Sequence, residues 1–549
     1  MQRIATVATL VALLGWVGCS GTPQAAEQTP QPSGISSTDT SSSESMASGN
    51  AAEKAEKPSA MPSGKSAVPA RYPGIPSRPE DIEFAELAFE PPAAKEYHHT
   101  LDNGVSVYLM RSTEFPLVDF TFTFKGGSYL EPAGKEGLAM ATGSMIRRGG
   151  SSQMSAEAMD ERFDFLAAEC STGAGDEQCS ASLNTLKSNL DESFDLFMDM
   201  LRNPRFQEDR FALFKAEMTE GMKQRNDDAG SIRGREWDYL FYGEGHYQAD
   251  PPTAGSMDGL TVEDLRSFHR EVFQPKNLII GVTGDFEIRE MLALLNDAMQ
   301  GWSAGSKAAD PPAPVASIEP GVYHVEKDIP QGKVFLGART IRRDHPDRIP
   351  MMVMNEILGG GGFTSRITNK VRTEHGLSYS AGSMFRPGVH YDGEFRAYFD
   401  SKNNTVAFGI QLILDEIARI REEPVSAEEL ATAKNSFIES FPQQFQSKSS
   451  VLGMFIRDEM TGRDPSFWTT FRDKVRGVSV DDVKRVASEY LHPDNLTVLV
   501  VGKWDEIGPG NYEEGRPEET SRMADFFDGK VTHLPLRDPL TLEPIDPGS

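Results

Sequence analysis

The chain has 549 residues and a formal net charge of −27 at pH 7. This length is too great for a single hydrophobic core, so we expect two or more domains. An acidic chain that lacks a basic block is a poor candidate for binding nucleic acid, and we exclude nucleic acid as a partner.

The N-terminus has the pattern of a secretory signal. Arg3 precedes an apolar run, and small residues precede Cys19. The ending WVGC resembles a bacterial lipoprotein box, although Trp16 stands where such boxes usually carry Leu. The resemblance implies a signal peptide over 1–19 and lipid on the Cys19 sulfur, and the Ser at position 20 implies an outer-membrane anchor that faces the periplasm. The alternative is an ordinary signal peptide with a chance cysteine.

The segment that follows has the composition of a tether. Residues 20–80 contain no Leu, Phe or Trp and are dense in Ser, Pro and Ala. Such a segment cannot bury enough apolar surface to fold. We predict a disordered tether over 20–90 that holds a folded body away from the membrane. No later stretch reaches the roughly 18 apolar residues of a spanning helix.

Two cysteines remain in the body, and they flank a candidate hairpin turn. A turn centred on Ala174 and Gly175 places Cys170 opposite Cys179 at a non-hydrogen-bonded position. Opposed Cα atoms there lie about 4.5 Å apart, which is within disulfide range. An oxidising compartment would permit the bond, and we expect a disulfide. The alternative is two free thiols.

A gapless internal repeat divides the body. Residues 260–286 match residues 478–504 at a constant offset of 218 positions. Each copy has a Thr or Ser followed three residues later by Asp, a pattern close to a capping box that begins a helix. Each then has a Pro that ends the helix and an apolar run that predicts a buried strand.

The repeat predicts an α+β protein of two tandem homologous domains. Helical pairs precede each copy, and alternating strand patterns precede each helical pair. We expect each domain to be an antiparallel-rich sheet with helices packed on one face. The predicted parts are an N-terminal domain over 91–305, a linker over 306–318, a C-terminal domain over 319–508 and a polar, loosely packed tail over 509–549.

A duplicated body that opens with GGSYLEPAGKEGLA resembles the insulinase/pitrilysin family of zinc metallopeptidases, in its processing-peptidase-like branch. Further matching segments are YGEGHYQADPPTAGSMDGL and NEILGGGGFTSRITNKVRTEHGLSYSAGS, and the resemblance covers about residues 95–508. It implies that each domain is half of a peptidase clamshell.

The resemblance also locates the zinc motif, which is degenerate. Active members carry H-x-x-E-H after the GLA element, where two His bind zinc and Glu is the general base. Here Met140 and Ser144 stand at the His positions, and Gly143 stands at the Glu position. Glu220 occupies the distal zinc-ligand position. None of the ten histidines forms a pair at helical spacing, so we expect no metal in this chain.

The family's C-terminal domain contributes an Arg and a Tyr seven residues apart, which bind the substrate carbonyl at the scissile bond. Arg372 and Tyr379 match them. We expect Arg372 to end a helix, Gly376 to make the turn and Tyr379 to lie on the following strand. The alternative is that both are surface or packing residues.

Loss of the zinc motif beside retention of this pair favours one function over two others. We expect the non-zinc subunit of a two-subunit envelope metallopeptidase, a heterodimer in which a zinc-bearing relative supplies the metal and a peptide is the substrate. The alternative is a non-catalytic pseudopeptidase that binds peptides or forms a scaffold. A serine hydrolase that uses Ser144 or Ser378 is a weaker third hypothesis, because GLSYSAG does not fit G-x-S-x-G.

Overall fold

The computed structural model describes residues 88–315, 318–511 and 520–545. The predicted signal peptide, Cys19 and all but the end of the predicted tether lie outside the described residues. Across the described ranges, no helix has the combination of length and apolar character that a membrane crossing requires.

The first half of the described chain forms a six-stranded sheet. Its strands are β1 (His98–Thr100), β2 (Ser106–Arg111), β3 (Leu117–Lys125), β4 (Glu169–Ala174), β5 (Gln178–Leu186) and β6 (Leu278–Gly284). The order across the sheet is β1-β2-β6-β3-β5-β4. Only β2 and β6 run parallel, and the other neighbouring pairs are antiparallel.

The second half repeats this arrangement. Its strands are β7 (Gly321–Glu326), β8 (Gln331–Arg339), β9 (Ala381–Arg386), β10 (Glu394–Lys402), β11 (Thr497–Gly502) and β12 (Val531–Leu534). The order is β12-β7-β11-β8-β10-β9, so each strand from β7 to β11 occupies the place of its counterpart in the first sheet. The α+β prediction is confirmed.

Helices surround both sheets. In the first half they are α1 (Leu138–Arg148), α2 (Ala156–Phe165), α3 (Leu190–Arg202), α4 (Glu208–Lys223), α5 (Ala229–Tyr242), α6 (Ala254–Asp258), α7 (Val262–Val272) and α8 (Ile288–Ala298). In the second half they are α9 (Arg348–Asn355), α10 (Arg366–Thr368), α11 (Val406–Glu422), α12 (Ala427–Ser440), α13 (Lys448–Met460), α14 (Phe467–Gly477), α15 (Val480–Tyr490) and α16 (Trp504–Ile507).

The repeated segments adopt the same local structure. Both α7 and α15 begin at capping boxes, Thr261 with Asp264 and Ser479 with Asp482. In each box the hydroxyl accepts the Asp backbone N–H while the carboxylate accepts the N–H of the cap, so two otherwise unpaired donors are satisfied. The strands that follow, β6 and β11, are buried along their whole length.

Each sheet is covered on its second face by a helix from the other half. One apolar cluster joins Tyr108 and Met110 of β2 to Leu452 and Phe455 of α13. Another joins α5, through residues that include Trp237, to β7 and β11. Since α5 and α13 follow equivalent helices in the two repeats, the exchange is reciprocal. Burial of these apolar faces makes the two halves one interlocked unit rather than two independent bodies.

The connecting and terminal segments are packed more closely than their composition predicts. Ala309 of the predicted linker accepts a hydrogen bond from the Tyr129 hydroxyl at 2.9 Å. The predicted tail contributes strand β12, which pairs in parallel with β7. Beyond β12, the Leu540 carbonyl accepts the Ala254 N–H at 2.8 Å. The prediction of a loose tail is therefore wrong for the described residues after Val531.

Candidate functional site

Helix α1 carries the three degenerate zinc-motif positions, and a half-buried carboxylate holds its first turn. The Glu131 carboxylate accepts the backbone N–H groups of Ala139 at 2.6 Å and Gly137 at 3.1 Å. An anion is favoured at a helix N-terminus, where these donors lack intrahelical partners. Burial nevertheless raises the Glu131 pKa to about 7, because desolvation of the charge outweighs the two hydrogen bonds.

The side chains on α1 do not fit a metal. Met140 is half-buried and packs against the first hydrophobic core, while Ser144 is half-buried. A thioether and a hydroxyl are poor zinc ligands beside imidazole, thiolate or carboxylate. Gly143, at the general-base position, has no side chain at all.

Gly143 is where α1 meets strand β4 most closely. A Cβ atom placed on Gly143 would lie 2.5 Å from the Ala174 backbone nitrogen and 2.5 Å from the Gly173 carbonyl carbon. The Thr172 hydroxyl donates to the Gly143 carbonyl at 2.6 Å, which fixes the contact. The space that a glutamate would need is therefore filled by the backbone of β4.

The remaining carboxylate of the motif points to solvent. The Glu220 side chain is 66% exposed and pairs with Lys223 one turn away on α4, at 2.6 Å. Over the described ranges, no three His, Cys, Asp or Glu side chains gather closely enough to hold a metal ion. The residues present do not fit zinc.

The predicted disulfide is wrong. Strand β4 pairs with β5 so that Cys179 lies opposite Ala174 and Cys170 lies opposite Leu183. The Gly175 N–H donates to the Gln178 carbonyl at 2.9 Å, so the turn is centred on the following two residues, Asp176 and Glu177. Both cysteines are free thiols, and burial raises the Cys170 pKa to about 12.

Arg372 and Tyr379 lie together in the second half. Arg372 is in a π-helical turn, Asn369–Glu374, that continues α10. Gly376 follows with φ of +62°, a left-handed conformation that favours glycine, and the chain reverses there. Tyr379 lies in the loop before β9 rather than on the strand, and its side chain is 85% exposed.

The Arg372 guanidinium is held between two exposed aromatic rings. Its central carbon lies 4.4 Å from the centre of the Tyr379 ring and 4.4 Å from that of Phe363. Cation–π contacts of this kind contribute about 0.5–1 kcal/mol at exposed sites. Sequence reasoning missed Phe363, although a large apolar residue directly after the glycine run 359–362 is a signal for an exposed contact residue.

The polar atoms of this pair are not used within the described part of the chain. The Arg372 side chain makes no hydrogen bond or ion pair with a described residue, and neither does the Tyr379 hydroxyl. The five N–H groups of the guanidinium and the phenolic O–H therefore make no bond to a carboxylate of the described residues. Such donors can bind a carbonyl oxygen.

The hydroxyl of Ser378 has a local structural use. It donates to the Ser380 carbonyl at 2.6 Å and accepts the Ser380 N–H at 3.1 Å, which closes the loop before β9. Ser378 is buried, whereas its neighbour Tyr379 is exposed. This arrangement gives no support to the serine hydrolase hypothesis.

Comparison with known proteins matches residues 259–437 to the peptidase M16 inactive domain, a range that contains Phe363, Arg372 and Tyr379 but not α1. The chain is 24% identical over 390 residues to the non-peptidase homolog YmxG of Helicobacter pylori, covering 70% of this chain and 89% of that one. It is also 22% identical over 421 residues to zinc protease PqqE of Helicobacter pylori, covering 73% and 91%. A peptidase M16 inactive domain from Pseudomonas fluorescens superimposes with a TM-score of 0.67 at 24% identity, covering 74% of this chain and 97% of that one.

Proposed function

This chain belongs to the insulinase-like (M16) peptidase family as a member with an inactive domain, and we propose that it is the non-zinc subunit of a two-subunit peptidase. In this proposal a partner from the same family supplies the metal, and this chain supplies Arg372 and Tyr379 to the peptide that is cleaved. The observation that carries the proposal is the Arg372 guanidinium held between Tyr379 and Phe363, with no ion pair to a carboxylate of the described residues.

The chemistry of the pair fits a role at the scissile carbonyl. Negative charge develops on the carbonyl oxygen when a nucleophile attacks a peptide bond. Donors that are already oriented toward that oxygen contribute about a hundredfold to a thousandfold in rate. The aromatic rings keep the guanidinium in place before substrate binds, so less side-chain entropy is lost at that step.

Two relatives from one organism support the existence of a partner. Helicobacter pylori has both a non-peptidase homolog and a zinc protease that resemble this chain. An organism with both kinds of chain has the components of a pair in which one subunit brings the metal. We propose the same division here.

We further propose that lipid on Cys19 holds the protein at the outer membrane, facing the periplasm. The sequence WVGCS supports this location. Cys19→Ser should prevent lipid attachment and move the protein from the membrane fraction to the soluble fraction. If labelled fatty acid is absent from the wild-type protein, the anchor proposal is wrong and the peptidase proposal is unaffected.

The functional test is reconstitution with a relative from the same organism that carries H-x-x-E-H. Peptide cleavage by the mixture should exceed that of either chain alone, and Arg372→Ala and Tyr379→Phe should each lower the rate by about tenfold or more. Arg162→Ala is the matched control, because Arg162 also stacks on an exposed ring, that of Phe165, but lies on α2. Equal rates for wild type and both site variants would refute the proposed role.

A second candidate is a non-catalytic peptide-binding or scaffolding protein, which the name of the non-peptidase relative favours. This function predicts peptide binding that a chelator does not change and no cleavage with any zinc-bearing relative. Fluorescence anisotropy of labelled peptides, with and without chelator, separates it from the first candidate when cleavage is measured in the same samples.

A further inference from the structure

A cavity in the second half, whose lining does not include Arg372 or Tyr379, is lined by three arginines. Its volume is about 830 Å³. Its walls come from the segment before α9, the first turn of α9, the segment between α13 and α14, and parts of α14 and α15, and they include Arg343, Arg348 and Arg463. This volume lies in the range of small-molecule sites.

Arg348 is the least satisfied of the three. Its guanidinium stacks on the Phe467 ring at 4.3 Å, and its buried Nε makes no hydrogen bond with any described residue. No ion pair within the described ranges involves Arg348. Burial and the neighbouring charges of Arg463 and Arg343 lower its pKa to about 10. A half-buried cation that makes no ion pair loses part of its hydration without a direct partner, which costs stability.

The other two arginines are anchored but keep free donors. Arg343 donates to the hydroxyl and the carbonyl of Thr461 at 2.6 Å and 2.5 Å, and its buried Nε makes no hydrogen bond with a described residue. Arg463 donates through Nε to Asp458 at 2.6 Å, while one of its terminal nitrogens is buried and makes no hydrogen bond within the described ranges. Arg463 also stacks on Phe467, at 4.7 Å.

The acidic residues on the wall are already engaged or face solvent. Asp464 accepts the N–H and the hydroxyl of Ser466 at 2.8 Å each. Asp482 caps α15 through Ser479. The Asp344 side chain is 65% exposed and approaches Arg343 only to 3.5 Å. Asp464 and Asp482 therefore accept hydrogen bonds from serines of their own turns, and among the described residues they leave buried arginine nitrogens without a hydrogen-bond partner.

We propose that this cavity binds the phosphate group of a small ligand, with Arg348 as the principal contact and Arg343 and Arg463 beside it. Guanidinium forks match the geometry of phosphate oxygens. A carboxylate can bind one guanidinium through its two oxygens, whereas the oxygens of a phosphate group can accept hydrogen bonds from three guanidinium groups. Apolar wall residues, Ile349, Pro350 and Val478 among them, provide room for an organic body attached to the phosphate.

The test measures binding of inorganic phosphate to the full chain by calorimetry and by the change in melting temperature. Chloride keeps the ionic strength constant in both measurements. Phosphate should raise the melting temperature of the wild type saturably. Arg348→Gln should weaken phosphate binding by about tenfold or more, and it should melt higher than wild type without phosphate because a half-buried charge that makes no ion pair with a described residue is removed. A merely structural arginine would lower the melting temperature when replaced.

The matched control is Arg476→Gln, on the same helix α14 as Phe467 but paired with Asp473 at the surface. It should bind phosphate as the wild type does. Equal effects of phosphate on wild type and Arg348→Gln would overturn the proposal, because a general salt effect acts on both.

Two further probes identify the source of the phosphate. Glycerol 3-phosphate represents soluble ligands, and vesicles of phosphatidylglycerol, compared with phosphatidylcholine, represent lipid headgroups. A chain of net charge −27 gains no general attraction to an anionic vesicle. Retention on phosphatidylglycerol that Arg348→Gln abolishes assigns a headgroup, and binding of glycerol 3-phosphate alone assigns a soluble ligand. If neither these probes nor inorganic phosphate bind, the proposal is wrong.

Discussion

Gly143 of α1 lies against Ala174 of β4 so closely that a Cβ atom on the glycine would be 2.5 Å from the alanine nitrogen. The packing of the first half thus excludes a side chain at the general-base position of the lost zinc motif. Replacement of three side chains would not restore it, because the general-base position has no room for a side chain unless β4 moves.

We predict that Gly143→Ala lowers the free energy of unfolding by about 1–3 kcal/mol, the usual cost of an overpacked contact. Alanine normally stabilises a helix interior by about 1 kcal/mol relative to glycine. The sign of the change in unfolding free energy therefore tests the prediction. Gly234→Ala in α5 is the control, since a Cβ there meets nothing within 4 Å. Gly234→Ala should raise the free energy of unfolding, and urea denaturation measures that free energy for both variants. Stabilisation by Gly143→Ala would contradict the packing described here.

We predict that Glu131 makes stability fall as pH rises. Its folded-state pKa is raised to about 7 from an ordinary value of 4.5, so its contribution is complete below pH 4.5 and is lost as pH rises through 7. Glu131→Gln should therefore flatten the decline in the urea midpoint between pH 4.5 and 7. The exposed Glu208→Gln controls for the loss of a charge. An unchanged pH profile in Glu131→Gln would show that the carboxyl is not buried in this way.

We predict that Cys170 and Cys179 are free and slow to react in the folded protein. The thiolate is the reactive form, and burial raises both pKa values. Iodoacetamide should label these positions only after denaturation, as read by peptide mass mapping that also separates them from Cys19. A peptide pair linked through Cys170 and Cys179 in a non-reduced digest would contradict the strand register.

We predict that Arg537 fastens the C-terminal segment to α5. It pairs with the buried Glu236 at 3.2 Å and with Glu244 at 2.9 Å. Arg537→Ala should cost about 1–3 kcal/mol of stability, because Glu236 loses a partner in a buried place. The exposed Lys530→Ala is the control and should change the urea midpoint little. Equal midpoints for the two variants would mean that the segment is not fastened there.

The sequence predicted the features that depend on residue type and local spacing. The loss of ligands at Met140, Gly143 and Ser144 can be read directly, and the capping boxes at Thr261 and Ser479 fix the same helix in both repeats. The chain reversal at Gly376 was also predicted, because a glycine between a helix and a strand is typical of a position with positive φ.

The features that it missed depend on tertiary contacts. The hairpin register differs from the predicted one by an even number of residues, which leaves every side chain on the same face, so the burial pattern cannot distinguish the two. The exchange of α5 and α13 between sheets joins segments far apart in sequence, and the contact of Phe363 with Arg372 depends on how the chain folds between them. No periodicity within one segment reveals them.

The most direct test of the central claim is zinc content and peptide cleavage measured on the same preparation of the isolated full chain, after dialysis against zinc and then against buffer. We expect far less than one zinc per chain and no cleavage until a zinc-bearing relative is added. One tightly held zinc per chain together with cleavage by the chain alone would contradict it.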